Sequence, residues 1–348
     1  MVVRILLILT AALASSPAFA ADLLAVYREA READAVYAAA RASYGAGQEK
    51  LPQGLAGLLP AVSAAANTQY NDRDLQLRGP LPGFSSGTTR FNSNGLSVTA
   101  TQPLFNYQSW ITYAQAKTQV SQAEAVFLQA AQDLMLRVAQ AYFDVLLAEN
   151  NVTLAGAQRV AIGEQLAQAK RNFEVGTATI TDANDAQARY DLSTSQEIAA
   201  VNDWEVKRQG LAQILGRLPP ALARLGGHLP LAAPTPSGME QWVEQALDSS
   251  LQVRIAAATL EVADKEVAKS RSGHLPTVNA VASYAEAAQG AGVQGGPGFD
   301  STTKYVGVQL ALPLYQGGLV TSQVRQAQAN LEKARQDLEA AGPGPRVG

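Results

Sequence analysis

Steps of alternately four and three residues from Phe127 land on Ala131, Leu134, Val138, Ala141, Val145, Ala148, Val152, Ala155, Arg159, Ile162, Leu166, Ala169 and Phe173. Only Arg159 among these is not apolar. A stripe held at a period of 3.5 residues is a coiled-coil seam, and it demands a helix that supercoils left-handedly against its neighbours. At the rise of an α-helix this seam runs about 70 Å, a length that one helix of a compact bundle rarely needs. The alanines along it admit close neighbours, and Gln, Glu, Lys and Arg occupy the opposite faces. The surrounding interval, residues 104–218, has no proline in a sequence that holds 16, so most of it is predicted helical.

That helix has a partner. After Phe173 the sequence reads Glu174-Val175-Gly176-Thr177-Ala178-Thr179-Ile180-Thr181-Asp182. Gly176 suits the left-handed end of one helix, and Thr181 or Asp182 suits the start of the next. The returning helix is expected to reach about Gly216, where Pro219-Pro220 closes it and a Gly/Pro-rich connector continues to about residue 238. Two long antiparallel helices joined at a tight tip follow.

A different period appears on either side. Val62, Ala64, Ala66, Thr68 and Tyr70 alternate with Ser63, Ala65, Asn67, Gln69 and Asn71, and Leu96, Val98 and Ala100 alternate with Ser97, Thr99 and Thr101. Alternation at a period of two marks strands with one apolar and one polar face. The polar stretch 72–93 between them reads as a long outward loop of a membrane barrel.

The pattern then recurs. Leu59-Pro60-Ala61-Val62 matches Leu275-Pro276-Thr277-Val278 at an offset of 216, and Pro103-Leu104-Phe105 matches Pro313-Leu314-Tyr315 at an offset of 210. The second copy predicts a strand over 277–285, with Val278, Ala280, Ala282 and Tyr284 on one face. It predicts another over 305–312, with Val306, Val308, Leu310 and Leu312, the two joined by the Gly-rich stretch 289–298. Helical segments at about 23–50 and 239–271 precede the two strand pairs. The repeating unit is helix, strand hairpin, helix hairpin, which divides the chain into 1–20, 21–238 and 239–348. The first copy runs more than a hundred residues beyond Phe105, whereas the second ends about thirty beyond Tyr315. The second unit is therefore expected to be incomplete, closing in the tail 341–348, whose glycines and prolines do not continue a helix.

Residues 1–20 have a basic Arg4, an apolar stretch over 5–14 and an Ala18-Phe19-Ala20 exit, the layout of a secretory signal peptide with a mature start at Ala21. No later run is long and apolar enough for a transmembrane helix, so a membrane would be entered as strands. The chain has no cysteine, which excludes disulfides, thiolate metal sites and an N-terminal lipidated cysteine. Lys and Arg number 27 against 30 acidic residues, a net charge of −3, and nucleic-acid binding is not expected. Aromatics make up only 6% of the chain, in keeping with thin helices more than with a thick globular core.

Four strands do not close a barrel, and lipid tolerates no open sheet edge, so more than one copy must contribute strands. Several motifs occur in order: Leu-Pro before each first strand; Gln102-Pro103-Leu104-Phe105 and Leu312-Pro313-Leu314-Tyr315-Gln316-Gly317-Gly318 after each second strand; Phe173-Glu174-Val175-Gly176 leading into Ile180-Thr181-Asp182; and Gly273-His274-Leu275-Pro276-Thr277. Together they resemble the TolC family over nearly the whole mature chain. The resemblance implies an α+β membrane protein: a homotrimer with an outer-membrane β-barrel, four strands per protomer, above a long α-helical coiled-coil tunnel in the periplasm. It also implies an efflux or type I secretion duct served by a periplasmic adaptor and an inner-membrane transporter, with no cofactor. The family closes its periplasmic tip with polar contacts among helices. Asp182, with Gly176 and Thr181 at the same turn, falls where the family carries a tip aspartate, although an N-terminal helix cap accounts for Asp182 as well.

Catalytic patterns are missing from the sequence: it has no phosphate loop and no nucleophile constellation, so an enzyme is not expected. His228 and His274 stand far apart without further ligand spacing and read as structural. Asp182, Asp185 and Asp191 read as a solvated helix start, with cation binding as the alternative, and Arg159 reads as one half of an ion pair, with channel lining as the alternative. The alternative to a duct is a periplasmic adaptor or other coiled-coil interaction protein, since adaptors also carry helix hairpins. An adaptor, however, has no need of strands with a lipid-type apolar face used twice.

Overall fold

The computed structural model describes residues 20–79, 86–225, 238–291 and 297–342. Residues 1–19 of the expected signal peptide (1–20), most of the connector with His228, and residues 343–348 of the terminal tail lie outside the described residues. The elements run α1 (Leu23–Ala33), α2 (Ala35–Gln48), α3 (Lys50–Ala56), β1 (Ala61–Leu75), β2 (Gly87–Phe105), α4 (Tyr107–Glu174), α5 (Ile180–Leu215), α6 (Met239–Ser249), α7 (Leu251–Arg271), β3 (Thr277–Ala291), β4 (Pro297–Ala311) and α8 (Leu319–Ala341). The chain divides into two units that cut across the sequence repeat: residues 1–43 with 127–238, and residues 44–126 with 239–348.

In the first unit, α4 is the backbone of the packing. Leu134, Val138, Val145, Ala148 and Leu166 of the seam are buried, and the other seam positions are half-buried except Phe173. Val26 and Ala30 of α1, Tyr37 of α2 and Leu211 and Leu215 of α5 close over Leu134, Val138, Tyr142 and Leu146. Tyr37 stacks on Phe127 with ring centroids 5.5 Å apart. Helix α5 ends at Gly216 with φ +70, a left-handed conformation that glycine adopts without a Cβ penalty. The start of the described chain is stitched to the stretch after α5. Ala21 N–H donates to the Ala221 carbonyl at 2.8 Å, and the Tyr142 hydroxyl donates to the Ala223 carbonyl at 2.7 Å.

The helical segment expected over 23–50 is interrupted at Asp34, which lies in extended backbone (φ −66, ψ 118). Its N–H closes α1 on the Ala30 carbonyl, and its carboxylate accepts from Tyr37 N–H at 2.6 Å, opening α2. The same carboxylate takes a bidentate grip from the Arg137 guanidinium of α4 at 3.0 Å on both arms. Asp34 is only 4% exposed, and this pair is what makes a buried charge tolerable. The segment expected over 239–271 breaks in the same way at Ser250, whose hydroxyl caps Val253 N–H.

The second unit carries a four-stranded antiparallel sheet in the order β1-β2-β3-β4. The two hairpins of the repeat therefore join into one sheet through β2 and β3. All four strands run longer than the alternation alone indicates. The stretch 72–93, expected as loop, continues the ladder as far as Leu75↔Gly87, and the third and fourth strands extend to Ala291 and from Pro297. Polar residues keep the pairing here: Arg90 bridges Asp72 at 3.0 Å, the Thr68 hydroxyl donates to Asn94 at 2.7 Å and the Asn71 amide donates to Ser93 at 2.9 Å. Backbone pairing needs no apolar face, so a strand outlasts its hydrophobic signal.

Beside the sheet, α7 lies against α4 through polar contacts. Gln115 donates to Glu266 at 2.9 Å, Thr118 to Glu261 at 3.0 Å and Gln122 to Thr259 at 2.8 Å. These residues of α4 precede the apolar seam at helical spacing, so one helix presents an amide and hydroxyl stripe in this unit and an apolar stripe in the other.

Candidate functional site

The register of the sheet sorts its residues onto two faces. On one face the rows read Ala64–Val98–Tyr284–Lys304, Val62–Ala100–Ala282–Val306, then Gln102–Ala280–Val308 and, past a register shift in β2, Phe105–Val278–Leu310. Apart from Gln102 and Lys304 these residues are apolar; those of the outer strands are open, with Val62 71% and Val306 86% exposed, and Ala100, Val278, Ala280 and Ala282 of the inner strands are half-buried. On the other face the rows read Ser63–Thr99–Ser283–Tyr305, Ala65–Ser97–Ala285–Thr303 and Asn67–Gly95–Ala287–Ser301. The Thr99 and Ser283 hydroxyls lie 3.2 Å apart across the junction of the two hairpins.

A contiguous apolar face of this extent on an exposed sheet calls for a nonaqueous neighbour. Strands of 15 to 19 residues exceed the roughly 9–11 that cross the hydrocarbon of a bilayer when tilted. Their polar loopward ends therefore extend past it. Tyr284 closes the apolar band, its ring under the Lys304 ammonium at 5.2 Å, where an interfacial aromatic belongs. No described helix is long and apolar enough to cross a membrane. Among the described elements the sheet is the one suited to lipid, through its apolar face, and its hydroxyl and amide face is suited to water.

At the other candidate position, α4 and α5 meet in the turn 175–179. Gly176 has φ +80, and the Thr177 N–H and hydroxyl both donate to the Asn172 carbonyl, at 2.8 and 3.0 Å. The cap of α5 is Thr179, where the sequence pointed to Thr181 or Asp182. Its hydroxyl accepts from Asp182 N–H at 3.3 Å, while Asp182 Oδ2 accepts from Thr179 N–H at 2.9 Å and from the Thr179 hydroxyl at 2.7 Å. This reciprocal box is signalled in sequence by a threonine three residues before an acid, which makes Thr179 readable in hindsight. The bond from the Thr179 hydroxyl, reinforced by that from its N–H, lowers the Asp182 carboxyl below its ordinary value of 3.8. Thr181 lies exposed in the first turn of α5.

Asp185 and Asp191 do not converge with Asp182. Asp185 pairs with Arg189 at 3.0 Å, and Asp191 accepts from Gln187 at 2.9 Å. Among the described residues no group of His, Asp and Glu is placed to hold a metal. Arg159 lies against α5, with Nε 2.5 Å from Glu197 Oε2 but off the line of a hydrogen bond, and its guanidinium donates to the Tyr190 hydroxyl at 3.4 Å, so charge pairing and this bond hold it.

A sheet with a lipid face and a water face, on a chain of long coiled-coil helices, defines an outer-membrane channel of the efflux and secretion class. The Outer membrane efflux protein family profile matches residues 26–217 and 242–342, and the chain belongs to that family. It is 32% identical over 328 residues to outer membrane protein TolC of Vibrio cholerae, covering 94% of this chain and 72% of that one. It is 31% identical over 343 residues to the proteases secretion protein PrtF of Dickeya chrysanthemi, covering 96% of this chain and 72% of that one. Among solved structures, the CmeC outer membrane channel of Campylobacter jejuni superposes with a TM-score of 0.76 at 16% identity, covering 91% of this chain and 67% of that one, a likeness of fold. The family assignment displaces the adaptor alternative.

Proposed function

We propose that the chain is a protomer of a passive export duct, in which three copies close one barrel in the outer membrane. Helices α4 and α5 contribute to a periplasmic tunnel that meets an adaptor and an inner-membrane transporter. The two-faced sheet carries this reading: the apolar rows seek lipid, the hydroxyl rows seek water, and β1 and β4 are edges that lipid does not tolerate unpaired. The efflux family and the relative named for protease secretion support export of small compounds or of polypeptides. Transport energy then comes from the inner-membrane partner, and this chain performs no catalysis.

The division into a signal peptide (1–20), a first repeat (21–238) and a second repeat (239–348) belongs to the same proposal. It is supported by the junction of β2 with β3, which joins a hairpin of each repeat. Gly176, Thr181 and Asp182 are proposed as the tip at which the tunnel narrows. The bonds that Asp182 accepts from Thr179 use Oδ2, which leaves Oδ1 to meet a neighbouring tip.

The test is fractionation of cells expressing the full chain, followed by detergent extraction and sizing. Recovery in the outer membrane as a trimer supports the reading. Recovery as a monomer in the soluble periplasm sinks it.

A further inference from the structure

The sheet contains seven charged residues: Asp72, Arg73, Asp74, Arg90, Glu286, Asp300 and Lys304. Six of them share the face that carries the apolar rows, because alternation and register place Asp72, Asp74 and Arg90 in line with Val62 and Ala100, and Glu286, Asp300 and Lys304 in line with Ala282 and Val306. Lys304 sits in the Tyr284 row at mid-strand, and the other five lie loopward of that row on the same face. The water face has a single charge, Arg73. Every other residue on it, from Ala61 and Thr101 to Asn71 and Phe91 and across to Gln289 and Phe299, is neutral. The Arg73 guanidinium sits 5.0 Å over the buried ring of Phe91, a contact that holds the cation at a defined place on the wall.

We infer that Arg73 is the charge-selecting residue of the strand-lined part of the channel, an inference that rests on the duct reading above. A wall of hydroxyls, amides and alanines presents dipoles of both signs and no net field, so it passes cations and anions alike. A fixed charge at a water-filled constriction sets the local concentration of mobile ions. Repeated in each protomer, Arg73 forms a cationic ring near the loopward mouth and disfavours cationic solutes there. Asp72, Asp74 and Arg90 lie at the same height but face away from the water.

The absence of cysteine makes the test direct, since a single introduced thiol is the only one present. The full chain carrying Arg73→Cys is reconstituted in planar bilayers, and the reversal potential is read in a potassium chloride gradient before and after reaction with a cationic or an anionic thiol reagent. The anionic adduct is expected to shift the reversal potential toward the potassium potential and the cationic adduct to shift it back toward that of the unsubstituted chain. Arg90→Cys, on the opposite face, is expected to show neither shift. Channels whose reversal potential ignores the charge at position 73, or responds equally at position 90, overturn the inference while leaving the duct intact. A reconstituted, membrane-inserted chain that conducts no ions in any form overturns the duct reading itself, and the inference falls with it.

Discussion

Asp34 ends α1, begins α2 and holds Arg137 of α4, so one side chain fixes the angle between three helices. Its carboxyl is lowered from 3.8, first by the bond from Arg137 and then by the Tyr37 N–H, against the cost of burial. The folded value lies below the unfolded one. The stabilisation is therefore complete above about pH 4 and is lost as pH falls through the folded value. Asp34→Ala removes the cap and strands Arg137, and it is expected to cost about 3 kcal/mol, read as a lowered denaturant midpoint of the helical signal at pH 7. The difference between variant and parent should shrink as the pH is taken below 4. At the tip, Thr179→Ala is expected to cost about 1 kcal/mol locally and to raise hydrogen exchange over the first turn of α5. Asp182→Asn separates the two roles proposed for that residue. A cap alone predicts faster exchange with unchanged conductance, whereas a gate predicts a larger resting conductance.

At the scale of elements, the apolar seam of α4 is the best-marked feature of the sequence, because a period of 3.5 sustained over many turns has no other reading. Leu134 and Leu136 test it, one fully buried on the seam and the other 69% exposed beside it. Leu134→Ala is expected to cost about 3 kcal/mol and Leu136→Ala less than about 0.5, measured by the same unfolding midpoint. The breaks at Asp34 and Ser250 were not legible. Local sequence favours helix through both points, and the Arg137 that engages Asp34 lies 103 residues away. Strand ends were missed for a related reason, since Asp72 to Leu75 and Pro297 to Lys304 pair through backbone and polar side chains with no alternation of apolar residues to reveal them. Of the tip, Gly176 is legible as a turn, whereas the cap falls two or three residues before the Thr181 or Asp182 that residue preference favours, because it is set by the reciprocal pairing of Thr179 with Asp182.

For the whole molecule, the sheet is where function concentrates, and its faces respond differently to the same substitution. Val308→Lys puts a charge at mid-height on the lipid face and is expected to cost about 2–4 kcal/mol of membrane stability, seen as loss of the outer-membrane fraction. Ser301→Lys, on the water face, should keep that fraction. The junction of β2 and β3 also bears on how this chain is made. Thr99 and Ser283, neighbours in the sheet, are 184 residues apart in sequence, so the contact has a very high order. Closing so long a loop is slow, and until it closes each repeat offers only a two-stranded ribbon, which is marginal by itself in water. The first hairpin must wait, edge exposed, while the helices between are synthesised and exported. The chain is therefore expected to need something that holds apolar strands apart during its transit to the membrane, and its insertion to wait on the second hairpin.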